Sequence, residues 1–260
     1  MKRMTAPSRP GFQLVFDSRF DVDCELPGWI PYYLPHWSSR ERTAARWVVA
    51  DDLLTLRIDV DQPPWCPEFD GSTRVSGMQT GLRSGPVGSK DGQSPFSPDL
   101  VVREEQAEAW PCTPKYGYVE IRLRAVAEPL AMVALWMIGT ETDPQDSAEI
   151  CVCEIFGNQV TPTSLQNGSG LHPFGDPRIT DEFNVRTHEF DTGEFHTYAV
   201  DWKPDHVDFF VDGQHTGRSD QSPDYPMQLM LGLFEFPEHG AEKTAPIEAF
   251  IDYVRVYEPA

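Results

Sequence analysis

Along this chain apolar residues do not recur at helical spacing over any long stretch; they alternate with polar ones in short runs. The runs are FQLVF (12–16), DLLTLRIDV (52–60), GYVEIRLRAV (117–126), MVALWMIG (132–139), EICVCEIFG (149–157), FHTYAVDWK (195–203), HVDFFVDG (206–213), MQLMLGLFEF (227–236) and FIDYVRVYE (250–258). Short alternating strands separated by turn signals predict two antiparallel sheets packed face to face, with little helix. KPDHVDFFVDGQ reads as a strand end, a Pro-Asp turn, a second strand and an Asp-Gly hairpin turn. Residues 84–98, rich in Gly, Ser and Pro, and residues 161–192, without a sustained period, read as long loops of the kind that wall binding sites. The 24 prolines and 19 glycines are spread as punctuation rather than gathered in a linker, and no repeat is visible. One domain over 11–260, behind a flexible segment 1–10, is the expected organisation.

One predicted strand carries an anomaly. EICVCEIFG places Glu149 and Glu154 in a run otherwise suited to a core. In a regular strand residues five apart face opposite sides, so the two acids need a correction to meet. An extra residue at Val152 or Cys153, a β-bulge, returns Glu154 to the face of Glu149 and Cys151. Two carboxylates brought close on one face can perform retaining glycoside hydrolysis, one attacking the anomeric carbon and the other protonating the leaving oxygen.

Charge and cysteines narrow the partners. A net charge of -20 repels phosphate backbones and anionic lipid, so neither nucleic acid nor membrane is expected. No stretch has the form of a signal peptide or of a membrane span, which makes the sequence as it stands cytoplasmic, or secreted if an export signal was removed or missed. Five cysteines lack CxxC spacing, Cys151 and Cys153 are too close in one strand for an unstrained disulfide, and the thiols are read as mostly reduced. No cofactor and no metal are expected, and the chain is expected to be a monomer.

The strand resembles the active-site signature of glycoside hydrolase family 16, E-x-D-x-x-E in its bulged form, with Glu149, Ile150, Cys151, Val152, Cys153 and Glu154 at its six positions. Its flanks resemble that family in order: YGYVEIRLR (116–124), ALWMIG (134–139), FHTYAVDWKPDHVDFFVDG (195–213), FIDYVRVYE (250–258) and, more weakly, STRVSGMQTG (72–81). The resemblance covers residues 72–260; the Trp- and Pro-rich region 20–70 matches poorly. It implies a concanavalin A-like jelly roll with a glycan cleft on its concave face. It also implies a retaining endo-acting β-glucanase, on β-1,3-glucan, with Glu149 as nucleophile and Glu154 as acid/base.

Cys151 departs from the pattern, because the family's residue there is an aspartate that orients the nucleophile and shares its proton. A neutral thiol is a weak donor, which leaves open reduced activity, or a carbohydrate-binding protein that has lost catalysis; transglycosylation is a further alternative. As a nucleophile in its own right Cys151 is disfavoured, since two flanking carboxylates suppress the thiolate. By resemblance Trp136 and His172 border the cleft, with core packing and a loop turn as their plain alternatives. Arg74 and Trp110 are weaker substrate-binding candidates, and Glu235 is expected to face solvent. The calcium site common in the family would need a glutamate where Arg19 stands, so a contact between Arg19 and Asp252 is expected there instead.

Overall fold

The structure is a computed structural model that describes residues 6–20, 26–237 and 245–260. Two antiparallel sheets face each other. The outer sheet is built from β1 (Phe12–Arg19), β2 (Arg46–Ala50), β3 (Leu53–Ile58), β5 (Gly117–Arg124), β11 (Phe195–Trp202), β12 (Val207–Val211), β13 (Gln214–Ser219) and β15 (Ile247–Pro259). It runs β13-β12-β11-β5-β15-β3-β2, with β1 also paired to β15. The inner sheet comprises β4 (Arg74–Gln79), β6 (Ala131–Gly139), β7 (Glu149–Phe156), β9 (Ser164–His172), β10 (Glu182–Glu189) and β14 (Met227–Glu235). It runs β10-β9-β7-β6-β14-β4, and the two-residue β8 (Val160–Thr161) pairs with β9. The all-β sandwich read from the sequence is therefore present.

Alternation fills the space between the sheets. Val119, Ile121 and Leu123 of β5 meet Leu229, Leu231 and Leu233 of β14 and Ile150 and Ile155 of β7, all sealed from solvent. Along β15 the inward set is Ile251, Val254 and Val256, and the skipped residue coincides with an irregularity in pairing to β5 between Ile251 and Tyr253. The predicted hairpin has the expected turns. Lys203 N–H donates to His206 O at 2.9 Å, and Asp212 (φ 49°) with Gly213 (φ 74°) closes β12 onto β13.

The sequence reading of 161–192 as one loop is corrected: most of it is β9 and β10. The inward positions of β9 are Leu165, Asn167, Ser169 and Leu171, so two polar residues interrupt the apolar face that would have announced a strand. Gly168 and Gly170 allow β10 to come close, since a Cβ at Gly170 would lie 2.2 Å from the Glu182 carbonyl oxygen. Edge strand β10 is mostly solvated and shows only scattered apolar residues, Val185 among them.

The expected contact between Arg19 and Asp252 is also corrected. Arg19 lies opposite Tyr253 and is held by Asp17 at 2.8 Å, while Asp252, the extra residue in the pairing of β15 with β5, is taken by Arg122.

A second apolar cluster lies on the other face of the inner sheet, where Val75, Ile138, Met230 and Phe234 are covered by Leu34, Trp37, Trp65, Leu100 and Val102. The segments between β1 and β5 that lie outside the strands thus build walls on the concave face. The loop 84–98 contributes to them. Gln93 there accepts a hydrogen bond on its carbonyl from Trp37 Nε1 at 2.7 Å and bonds Gln228 Oε1 through its own amide at 2.8 Å.

Candidate active site

Strand β7 makes the site by a slip in register. Against β6, Trp136 pairs with Cys151 and Leu135 with Cys153, so Val152 is the extra residue. Against β9, Cys151 faces Gly170 while Glu154 faces Gly168, three steps on one strand against two on the other. The bulge expected at Val152 or Cys153 is present, and it sorts the side chains. Ile150, Val152, Cys153 and Ile155 enter the core between the sheets, and Glu149, Cys151, Glu154 and Phe156 occupy the concave face.

Burial dominates the electrostatics of this face. Desolvation pushes the Glu149 carboxyl up to about 8, and the charges of Glu154 and then Glu141 add to it. Glu154 is raised as well, again mainly by burial; the Cys151 thiol and the His172 ring oppose that rise. Glu141, just beyond β6, accepts the Ser94 N–H at 2.7 Å and is raised to about 7 by burial. Three carboxyls around one site therefore resist simultaneous ionisation. Burial thus favours a proton on Glu149 at neutral pH, and it raises Glu154, where the sequence pointed to the acid, as well.

The Cys151 thiol is pushed well above its ordinary range, first by burial and then by Glu154 and Glu149, in line with the suppression of thiolate expected from the sequence. Its hydrogen-bond partner is Glu154, whereas the aspartate of the resembling signature is implied to hold the nucleophile.

The other candidates separate into near and far. Trp136, one strand over, lines the same cavity as Glu149 and lies 6.0 Å ring to ring from Phe234. His172 pairs with Glu149 across β7 and β9, bonds Asp181 Oδ1 through Nδ1 at 2.6 Å and stacks on Phe183 at 4.6 Å. Arg74, on the far edge strand β4, bridges Glu235 at 3.1 Å and is not among the cavity-lining residues. Trp110 is also outside that lining; it donates to Glu108 at 2.6 Å and packs near Gly81 and Gln228. Glu235, expected in solvent, is instead 1% exposed, because it shares the inward parity of Leu231 and Leu233 and is neutralised by Arg74.

Residues that sequence reasoning missed supply most of the cavity wall. Tyr33, Trp65 and Asp70 come from the Trp- and Pro-rich region, Ser94 and Phe96 from the loop 84–98, and Phe174 from the turn after β9. Trp65 Nε1 donates to Asp70 at 2.5 Å, and its ring meets Tyr33 at 4.8 Å and Phe96 at 5.3 Å. Phe96, Phe156 and Phe174 are partly open to solvent, an arrangement of apolar faces around buried acids. The tryptophan content before residue 70 and the reading of 84–98 as a wall-forming loop were the sequence signals for this wall. Among the described residues no helix is long and apolar enough to cross a membrane.

An all-β sandwich with coupled carboxyls on a bulged strand of its concave sheet defines the class of protein. The sequence profile of "Glycosyl hydrolases family 16" matches residues 113–255, more than half of the chain. The chain belongs to that family. It is 29% identical over 161 residues to a "Beta-glucanase" of Acetivibrio thermocellus, a match covering 55% of this chain and 42% of the relative. It is 30% identical to a "Beta-glucanase" of Bacillus subtilis (strain 168), over 46% of this chain and 47% of that one. The chain thus spans less than half the length of these relatives. Among solved structures, a "GlcNAc[alpha]1-4Gal releasing endo-[beta]-galactosidase" from Clostridium perfringens superposes with a TM-score of 0.82 at 27% identity, covering 99% of this chain and 66% of that one. The catalytic domain of an endo-1,3-beta-glucanase from Thermotoga petrophila RKU-1 has a TM-score of 0.63 at 19% identity, covering 95% of this chain and 98% of that one, a likeness of fold.

Proposed function

We propose that the protein is a retaining, endo-acting β-glycanase that cleaves internal bonds of a β-glucan. The observation that carries this reading is the bulge at Val152, which sets Glu149 and Glu154 on one face beside an aromatic-walled cavity. The sugar to be cleaved occupies the cavity against Trp136 and Phe174, its C-H faces on the rings. The Glu149 carboxylate attacks the anomeric carbon, the glycosidic C–O bond breaks, and its oxygen takes the proton of Glu154. Water then gives a proton to Glu154 and attacks the same carbon, releasing Glu149 with net retention. Since burial favours a proton on Glu149 in the free enzyme, that proton must leave for catalysis; positive charge developing on the sugar ring favours the ionised form.

The β-1,3 linkage is supported by the long, bulged form of the signature, and β-glucan more generally by the sequence relatives. A second reading, internal β-galactosyl bonds, is favoured by the match to the endo-β-galactosidase across 99% of the chain, which takes in the region that builds the cavity wall. Laminarin, mixed-linkage β-glucan and a galactose-containing mucin glycan, each followed by NMR of the first-formed product anomer, test both. Release of β-anomer first from a glucan supports the leading reading. Release from the mucin glycan alone moves the substrate to the second, and α-anomer first removes the double displacement. On the substrate that is cleaved, Phe174→Ala is expected to raise KM about fivefold with kcat little changed, as loss of a stacking face removes uniform binding.

A further inference from the structure

The aspartate-to-cysteine departure sets a thiol beside Glu154 and His172, a donor set with a second chemistry open to it besides glycan cleavage. Cys151 Sγ, a Glu154 carboxylate oxygen and a His172 ring nitrogen all lie within 4.8 Å of one another on the concave face. In a tetrahedral site with bonds of 2.0–2.3 Å, ligand atoms stand about 3.3–3.8 Å apart, so closing these three around one ion asks for a shift of about an ångström. Glu154 is only partly buried and can make it, whereas Cys151 is 0% exposed and fixed in the strand.

A second observation points the same way. His172 Nδ1 is held by Asp181 at 2.6 Å, and the ring is stacked on Phe183, which fixes its orientation and leaves Nε2 as the other ring nitrogen. A carboxylate behind a histidine is the outer support that metal-bound imidazoles use to set the tautomer and raise ligand basicity. Thiolate, imidazole and one carboxylate form a soft, three-point set with room for water in the fourth position.

We propose that Cys151, Glu154 and His172, backed by Asp181, bind a thiophilic divalent cation of the zinc and cadmium class. Binding exchanges the Cys151 proton for the metal: the S–H bond breaks, an S–metal bond forms, and the proton passes to solvent. Affinity therefore rises with pH. The occupied site holds Glu154, the proposed acid, as a ligand, so the cation and glycan cleavage exclude each other. The acidic character of the chain, -20 overall, favours the cation's approach.

The test is Cd²⁺ titration of the full chain, followed by the ultraviolet thiolate-to-cadmium charge-transfer band and by calorimetry; it does not depend on any glycan being cleaved. One Cd²⁺ per chain with a band is expected for the wild type, no band for Cys151→Ser, and roughly tenfold or greater weakening for His172→Ala and for Asp181→Asn. A wild type without a band, or a band that survives in Cys151→Ser and so belongs to Cys66, Cys112 or another thiol, overturns the proposal. Wild-type affinity in both His172→Ala and Asp181→Asn also overturns it. These two positions are exposed or partly exposed, so they decide the matter even if Cys151→Ser does not fold.

Discussion

Glu149→Gln is expected to lower glycan hydrolysis by about a thousandfold or more while leaving glycan binding intact, because the amide keeps the shape of the carboxylate but cannot form the glycosyl bond. The same substitution is expected to raise stability at alkaline pH. In the fold Glu149 is raised from 4.5 to about 8, so between those values the native state holds a proton that the unfolded chain has lost. Native stability therefore falls as pH climbs through that window, and glutamine escapes the fall. The effect is on the order of a few kcal/mol at pH 8, or roughly 5–10 °C in Tm for a chain of this size, and vanishes near pH 4. Thermal unfolding of both proteins at pH 4 and pH 8, with reducing-end release, checks the two halves together. Hydrolysis within tenfold of wild type would remove Glu149 from the chemistry; equal Tm at pH 8 would remove the buried-acid account. Loss of activity with gained stability is the signature of a residue kept for function against the interest of the fold.

Much of this molecule was legible because its strands obey a two-residue period. Ile150 and Ile155 fall on the core side, and Glu149 and Glu154 on the cleft side, only with one bulge, which the spacing of the two acids demands by itself and which falls at Val152. The period failed where polar residues take inward positions: Asn167 and Ser169 in β9, and Ser76 in β4. Ser76 is inward because it is bonded, accepting the Arg46 N–H at 3.0 Å and donating to the Arg57 carbonyl, which no one-dimensional pattern announces. The cavity wall was hidden for another reason. Tyr33, Trp65 and Phe96 reach the site from segments without regular structure, positioned by ring contacts and by bonds such as that of Trp37 to the Gln93 carbonyl. Such contacts depend on chain path rather than on spacing. Glu235 failed for the opposite reason: an acid on an inward register reads as solvent-facing until its partner, Arg74, 161 positions away, is known.

Cys151→Asp is expected to raise kcat about 10- to 100-fold on whichever glycan is cleaved, and to move the pH profile upward. As the structure stands, the thiol is bonded to Glu154, lowers that carboxyl, and leaves Glu149 without a strong donor from position 151. A protonated aspartate there can donate to the Glu149 carboxylate. A hydrogen bond to an ionised acceptor is worth about 1.5–3 kcal/mol, the range of the expected gain if it is realised as Glu149 becomes charged. The upward movement follows from the added acid: when it ionises, its negative charge raises the neighbouring carboxyls further, so Glu154 keeps its proton to higher pH. The gain should carry a cost in stability, since a third acid on β7 enters a site already crowded by Glu149, Glu154 and Glu141. Steady-state rates across pH, with Tm at each pH, measure all three effects. A faster, alkaline-shifted and less stable variant identifies the thiol as a brake on a complete catalytic pair. Unchanged kcat and an unchanged profile would mean that proton sharing between Glu149 and Glu154 does not pass through position 151, and that the direct coupling of the two acids suffices.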